Sequence, residues 1–416
     1  MKTEQQNVSE EDLVAVTQRN TRAKTSINGG EPILVDLTFE ICSRLPATSI
    51  SRLRCVSKLW DSFPRLPYFM ELFLTRSLAR PRLLFACRKD RHMFFFSSRQ
   101  PQNLENNKSS VLAATYHMKV PYHMKIPYHS SSSERCSSVR GLVLIRDERV
   151  SEGKERKVWM ICNPSTGQYV TLPKLKTRKR NGVRGYLGYE PIEKQYKVFS
   201  VTWTIHGTEN TEEHQVLTLG TGGEPSWRRV ECCIPHFIFS PYYNHVCING
   251  VLYYPAINRT TRCSIIILFD FRSEKFRVVE VTDRPTISDF CSLLINYNGK
   301  LGLLRFQSYD GGIYGSCNTS IRLRVLEDAE KHKWSEHRYV LPIFWEGEDT
   351  VVRVVGATRR NEIVFSCSQS TGVYVFYYNT ERNEIRRVEI QGLESFKGHT
   401  IYTFLDHVED VNVRHM

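Results

Sequence analysis

Histidine and methionine recur at a fixed spacing between residues 116 and 129. The hexad Tyr-His-Met-Lys-Val-Pro is followed by Tyr-His-Met-Lys-Ile-Pro and then by Tyr-His. Imidazole and thioether groups bind copper or zinc, and the donors in this stretch are His117, Met118, His123, Met124 and His129. A proline at every sixth residue and the serines at 130–133 indicate a loop without preformed ligand geometry. We therefore predict no metal site in the hexads, and expect a duplicated rim loop that contacts a partner.

A second candidate for ligand binding is a run of lysine and arginine side chains between residues 174 and 184. Its members are Lys174, Lys176, Arg178, Lys179, Arg180 and Arg184. Such a run can bind phosphate groups or direct nuclear import, but we favour a solvated loop between strands. The net charge of +13 and the pI near 9.2 make acidic partners, nucleic acid and anionic lipid worth considering. The excess charge is spread along the chain, and we expect neither a membrane nor a nucleic acid as the partner.

The chain shows no recognisable catalytic motif. Gly220-Thr221-Gly222-Gly223 has too few glycines in register for a dinucleotide loop. The sequence contains neither His-Glu-x-x-His nor Gly-x-Ser-x-Gly. We predict no catalytic residue, no metal and no cofactor. A propeller enzyme, whose site is assembled from distant loops, stays open as an alternative.

Length and composition are those of a globular protein with one small and one large domain. Of the 416 residues, 41% are hydrophobic and 24% charged. The first 30 residues read as a flexible, polar tail, and no apolar run approaches the length that crosses a bilayer. The 12 cysteines are scattered, as expected of small buried side chains in a reducing compartment. We therefore expect the protein in the cytoplasm, the nucleus or both.

Residues 31–78 carry helical periodicity. Leu34, Leu37, Ile41 and Leu45 lie three or four residues apart, on one stripe of a helix that Pro46 must end. We expect Ser49 to cap a second helix and Ser57 a third. Three such helices cannot bury all their apolar side chains against one another, so the pattern indicates a partner.

The same stretch resembles the F-box. The matching residues are Asp36-Leu37, Glu40-Ile41, Arg44-Leu45-Pro46, Arg54-Cys55-Val56-Ser57-Lys58 and Trp60. The chain has Leu34 where the family commonly has proline, which is pre-set for a first helical turn. It also has Thr48 where lysine is common.

The F-box resemblance implies a helix-in-groove contact with a Skp-type adaptor, and through it with a cullin scaffold. Some members of the stripe must instead form the core of the module, and the sequence does not divide them. The candidates for the adaptor-binding surface are Leu34, Leu37, Ile41, Leu45, Pro46, Ile50, Leu53, Val56 and Trp60.

From residue 79 to residue 412 the periodicity changes to two, and a unit of roughly 50 to 60 residues recurs. Its first part is a short apolar strand that often follows a turn, as at Asn249-Gly250 and Asn298-Gly299. Its second part is a polar turn between strands, as in 163–169, 270–276 and 379–385. We predict a kelch-like β-propeller of about six blades, with a loop insertion near 97–135 and with Tyr402–Val411 closing the ring. A β-sandwich is the alternative.

This region resembles the plant F-box-associated domain. The resemblance rests on Arg80–Phe85, on the Asn-Pro-Ser-Thr-Gly turn at 163–167 and on Phe269–Phe276. Together the two resemblances imply the substrate-recognition subunit of a Skp, cullin and F-box (SCF) ubiquitin ligase, whose β domain binds a protein substrate. The alternative is a protein or nucleic-acid interaction scaffold with a degenerate F-box. Neither resemblance identifies the substrate or the residues that contact it.

Overall fold

The computed structural model describes residues 35–101, 109–123, 136–151, 154–177, 182–203, 212–220, 223–238, 245–281, 293–308, 319–342, 352–368 and 372–411. Within these ranges, four short α-helices precede 26 strands, which form six sheets. The predicted all-α module followed by a six-bladed propeller is therefore confirmed. No helix in the described ranges is long and apolar enough to span a membrane.

Prolines and one serine set the helix boundaries. The helices are α1 (Val35–Cys42), α2 (Ala47–Leu53), α3 (Lys58–Ser62) and α4 (Pro67–Leu78), with a 3-10 turn at Phe63–Arg65. Pro67 is the first residue of α4, where a missing N–H costs nothing. Ser57 caps α3 as predicted, because its Oγ accepts from Trp60 N at 3.4 Å. The cap predicted at Ser49 was wrong: α2 begins two residues earlier, with Pro46 at the N-cap.

The helices enclose a small aromatic core. Phe63, Phe69 and Phe73 are buried, and the rings of Phe63 and Phe69 lie 4.3 Å apart. Val411, from the end of the β domain, packs into the same core. The helical module and the propeller are thus joined by buried contacts as well as by the chain.

The 26 strands are divided among six blades. Blade 1 contains β1 (Arg82–Lys89), β2 (His92–Arg99), β4 (Thr115–Pro121) and β26 (Ile401–His407). Blade 2 contains β5 (Cys136–Val139), β6 (Leu142–Ser151), β7 (Lys154–Asn163) and β8 (Gln168–Thr171). Blade 3 contains β9 (Gly182–Glu190), β10 (Gln195–Trp203), β11 (Glu212–Thr218) and β12 (Arg228–Val230).

The remaining blades complete the ring. Blade 4 contains β13 (His236–Phe237), β14 (Val246–Ile248), β15 (Val251–Asn258), β16 (Ser264–Asp270) and β17 (Phe276–Glu280). Blade 5 contains β18 (Leu293–Tyr297), β19 (Lys300–Ser308), β20 (Thr319–Asp328) and β21 (Lys333–Val340). Blade 6 contains β22 (Val352–Ala357), β23 (Ile363–Ser368), β24 (Val373–Asn379), β25 (Glu384–Gln391) and β3 (Ser109–Ala113).

Both ends of the β domain close the ring. β26 pairs antiparallel with β1, so blade 1 takes its innermost strand from the C-terminal region, as predicted for Tyr402–Val411. β3 leaves blade 1 and pairs in parallel with β25, the outer strand of blade 6. Each pairing removes a strand edge that would otherwise be exposed.

Two kinds of turn repeat around the ring. Asn249-Gly250 and Asn298-Gly299 have positive φ at both residues, as a two-residue hairpin between right-twisted strands requires. At the turn between the third and fourth strands, one side-chain oxygen accepts two backbone N–H groups at 2.8 to 3.3 Å. The accepting residues are Asn163, Asp270, Asp328 and Asn379.

We call the end of the ring that carries both kinds of turn the near face. The opposite end, where the second and third strands of a blade are joined, is the far face. Asp90-Arg91 in blade 1 and residues 259–263 in blade 4 are described turns of the far face.

Six apolar clusters hold the blades together, one at each seam. The cluster between blades 1 and 2, for example, packs Phe95 of β2 against Val143 and Ile145 of β6. Buried side chains on both sides of a blade explain why strands such as β9 are buried along their whole length.

The first hexad lies in a strand, which corrects the loop insertion predicted near 97–135. It lies within β4, with Met118 and Val120 buried in the core between blades 1 and 2, and Tyr122 directly after the strand is buried in the same core. Side chains of a strand alternate between its two faces, so a repeat of six residues keeps equivalent residues on the same face. Met124 and His129 lie outside the described residues.

Candidate functional site

The exposed large apolar side chains of the helical module lie on α1, in the turn between α2 and α3 and, at Tyr68, on α4. Leu37 and Ile41 are 52% and 55% exposed, and they share one face of α1 because they are four residues apart. Val56, between α2 and α3, is 68% exposed. We call Leu37 and Ile41 the α1 face. Large apolar side chains left in water at adjacent helical positions are typical of a binding surface.

The other candidates are placed differently. Ile50 is buried in the module core, and Leu45, Leu53 and Trp60 pack against that core while staying partly exposed. Pro46 is exposed at the start of α2, and Leu34 lies outside the described residues. The structure thus divides the stripe into core members and exposed members. Adaptor binding by any of the nine residues stays a prediction.

Ion pairs of Glu40 hold the last turn of α1. The Glu40 carboxylate accepts from Arg76 of α4 and, at 2.6 Å, from Arg44. The hydrogen bond from Arg76, reinforced by that from Arg44, lowers the pKa of Glu40 to about 2. Because α4 leads directly into β1, this contact orients α1 relative to the propeller.

The C-terminal segment 408–411 ties the module to the near face. Glu409 N donates to Ser77 Oγ of α4 at 2.7 Å. Asp410 N donates to Ser165 Oγ at 3.2 Å, and Asn163 Nδ2 donates to the Asp410 carbonyl at 3.0 Å. All of these bonds are buried, so they hold a fixed geometry. Nothing in the sequence pattern predicts this junction.

A cavity of about 620 Å³ occupies the axis of the ring, lined by the inner strands of all six blades. Its described lining includes Arg140, Arg353 and Arg359 but a single carboxylate, Asp406. Gln100 Nε2 donates to Asp406 Oδ1 at 2.9 Å, and burial raises the pKa of Asp406. The described lining therefore contains no pair of carboxylates for general acid–base chemistry.

The side chains considered for metal or phosphate binding do not converge among the described residues. His117 Nε2 lies 2.6 Å from Ser97 Oγ, and burial lowers the pKa of His117 to about 4. His123 instead contacts Asp147 of blade 2. Of the basic run, Lys174 and Lys176 are exposed and Arg184 is buried in β9, whereas residues 178–181 lie outside the described residues. The hexads and the basic run thus give no ligand site among the described residues.

Comparison with known proteins identifies the large domain. Residues 82–408 match the family described as "F-box associated beta propeller domain". That range runs from β1 to the end of β26, and so covers the whole ring.

The relatives extend the match to the helices. The F-box protein DOR of Arabidopsis thaliana is 49% identical over 390 residues, which cover 92% of this chain and 94% of that protein. The F-box protein At5g65850 of the same plant is 44% identical over 425 residues, 100% of this chain and 99% of the relative. A third relative from the same plant, the F-box protein At3g61340, is 42% identical over 422 residues, which cover 96% of this chain and 98% of that protein. The chain therefore belongs to the plant F-box proteins that carry an F-box-associated β-propeller domain.

Proposed function

We propose that this chain is the substrate-recognition subunit of an SCF-type ubiquitin ligase. The α1 face would bind a Skp-type adaptor, the adaptor would join a cullin scaffold, and the propeller would bind a protein substrate. The observation that carries the proposal is the exposure of Leu37 and Ile41 on a helix whose opposite side packs into the module core through Phe39 and Cys42. Family membership supports the same partner.

The proposed role requires no bond chemistry by the chain itself. A separate E2 enzyme would transfer ubiquitin, and the chain would raise the local concentration of substrate lysines near it. The buried junction between segment 408–411 and α4 supports this role, since it limits how far the two ends can move relative to each other.

The far face of the propeller is the surface we propose for the substrate. The helical module is bonded to the near face through Ser165 and Asp410, which leaves the opposite end of the ring free of it. Connections between strands commonly carry binding residues, because a rigid scaffold positions them. Kelch-like blades and a location in the cytoplasm or nucleus remain parts of the proposal.

Capture by an immobilised Skp-type adaptor tests the proposal. We expect the adaptor to retain the wild-type chain and to lose the variant Leu37→Asp/Ile41→Asp, because each carboxylate would be desolvated in an apolar groove. The matched control is Val111→Asp/Val340→Asp, which places the same charges at exposed apolar positions of the propeller. Equal capture of all three proteins, or no capture of the wild type, would refute the docking surface.

Salt dependence separates this function from the alternative of a basic scaffold. Apolar docking by the α1 face should change little with ionic strength. Binding that falls steeply as salt rises, with slopes typical of several phosphate contacts, would favour nucleic acid as the partner.

A further inference from the structure

His214, Cys232 and His236 meet at the seam between blades 3 and 4, toward the far face. His214 lies near the start of β11, His236 begins β13, and Cys232 lies on the connection between the two blades. One donor atom of each lies within 4.8 Å of the others, and Cys232 Sγ is 4.0 Å from His236 Nδ1. In the described part of the chain, no other three His, Cys, Asp or Glu donors are grouped in this way.

The two imidazoles are buried. His214 is 7% exposed and His236 1% exposed, whereas Cys232 is partly exposed and leaves a route from solvent. The Nε2 atom of His214 is buried and has no hydrogen-bond partner among the described residues. Buried polar atoms are rarely left unpaired, and the binding of an ion is one established reason when they are.

Tyr254 orients the second imidazole. Its hydroxyl lies 3.2 Å from His236 Nε2, on the opposite side of the ring from Cys232. His236 Nδ1 also lies 2.9 Å from the carbonyl oxygen of Ile234, which can only accept a hydrogen bond. Zinc binding at Nδ1 therefore has to break this bond and move the ring proton to Nε2, from which it can be donated to Tyr254. Histidine ligands of metal ions are commonly held by such a bond from the other ring nitrogen.

We propose that His214, Cys232 and His236 form a zinc site, with two imidazole nitrogens and one thiolate as ligands and a water in the fourth position. Nitrogen and thiolate donors in a tetrahedral arrangement are the set that Zn²⁺ takes in proteins. Bond lengths of 2.0–2.1 Å to nitrogen and about 2.3 Å to sulfur place these donors about 3.5 Å apart. The present sulfur-to-nitrogen distance of 4.0 Å therefore has to shorten by about 0.5 Å. The thiol proton is released to solvent as the zinc–sulfur bond forms.

A zinc ion at this seam would link two blades. β11 belongs to blade 3 and β13 to blade 4, so the three ligands would connect the two blades next to the apolar cluster of their seam. Next to the site, Arg259 from a far-face turn of blade 4 pairs with Glu212 of β11 at 2.7 Å. The ion would stiffen this part of the far face whether or not the propeller recruits a substrate, so the inference stands apart from the proposed ligase function.

Metal content of the tag-free, full-length chain tests the site. We expect about one equivalent of zinc per chain after dialysis against trace zinc. Cys232→Ser and His214→Gln should each lower zinc affinity by more than about 100-fold. Tyr254→Phe should lower it about 10- to 100-fold, as is typical when a group that only orients a ligand is removed. The matched control is Cys233→Ser, the exposed neighbouring cysteine, which should bind like the wild type.

Cobalt gives a readout that does not depend on any variant. Co²⁺ in the wild-type chain should show a sulfur-to-cobalt charge-transfer band, which Cys232→Ser abolishes and Cys233→Ser retains. Circular dichroism of each variant establishes that it has folded. Absence of zinc and of the cobalt band in the wild type would overturn the proposal, and so would zinc binding that survives unchanged in Cys232→Ser.

Discussion

Asn163 is the residue through which the propeller is expected to hold its C-terminal segment in place. Its side chain is fully buried and makes two kinds of bond. The Oδ1 atom accepts from Ser165 N at 3.0 Å and from Thr166 N at 3.3 Å, which forms the turn. The Nδ2 atom donates to the carbonyl of Asp410 at 3.0 Å, which tethers segment 408–411.

Asn379 serves as a matched control for the hydrogen bond between Asn163 and Asp410. Asn379 forms the same turn in blade 6, because its Oδ1 accepts from Glu381 N and Arg382 N, each at 3.0 Å. Alanine at either position removes the turn bonds, but only Asn163→Ala also takes a hydrogen bond from the buried carbonyl of Asp410. Leaving a buried acceptor without that donor costs about 1–3 kcal/mol. The local opening of segment 408–411 should therefore become about 5- to 150-fold more frequent in Asn163→Ala.

Hydrogen exchange measured by mass spectrometry reports that opening directly. We expect faster exchange in the peptide that contains Glu409 and Asp410 for Asn163→Ala, and unchanged exchange there for Asn379→Ala. Equal exchange in both variants and the wild type would refute the assigned tether. Faster exchange in both would show that the turns, rather than the bond to Asp410, hold the segment.

Four further predictions concern the helices and the near-face turns. Leu37→Ala should weaken adaptor binding by about 1 kcal/mol without lowering the melting temperature. This is roughly half the free energy of burying a whole leucine side chain, because only the exposed half of Leu37 would become buried on binding. Ile50→Ala should destabilise the helical module by about 2–5 kcal/mol, so a comparison of calorimetry with adaptor affinity separates the two roles. The Glu40 pKa of about 2 lies below its ordinary 4.5, so its ion pairs stabilise the fold above about pH 4.5 and are lost as the pH falls toward 2. As the pH is lowered from 4.5 to 2, the melting temperature should therefore fall less steeply for Glu40→Gln than for the wild type. An identical pH dependence of the two melting temperatures would contradict this assignment. Gly141→Ala should destabilise more than Gly299→Ala in urea unfolding, because both have positive φ but only at Gly141 would a Cβ lie 2.7 Å from a backbone oxygen. An equal loss of unfolding free energy in the two variants would show that the positive φ alone, and not the contact with the backbone oxygen, destabilises them.

The architecture was predictable because its signals are local and repeated. Asn249-Gly250 and Asn298-Gly299 specify tight hairpins by themselves, and the turns at Asn163 and Asn379 need only the side chain of their first residue. Repetition of such turns with apolar strands between them indicates six blades and the closing role of Tyr402–Val411. The loop predicted for the first hexad was wrong, because the even spacing of Met118 and Val120 suits a strand although prolines follow.

The candidate site was predictable only in part. Helical spacing located the stripe from Leu37 to Trp60. Ile50 and Leu37 occupy equivalent positions of an apolar pattern, and only the packing of the whole module decides which one is covered. The junction and the proposed zinc ligands gave no signal that could be read along the chain. Ser77 meets Glu409 across 332 positions of sequence, and His214 meets His236 only because blades 3 and 4 pack together.

Ubiquitin transfer in a reconstituted ligase tests the central claim most directly, and it does so without a known substrate. The chain would be combined with a Skp-type adaptor, a cullin scaffold and a charged E2, and ubiquitin on the lysines of the chain would be mapped. If the α1 face docks the adaptor, exposed propeller lysines such as Lys174 and Lys176 should be modified in the wild type and in Val111→Asp/Val340→Asp. Modification should be lost in Leu37→Asp/Ile41→Asp. Equal modification of all three proteins, or none in the wild type, would contradict the account.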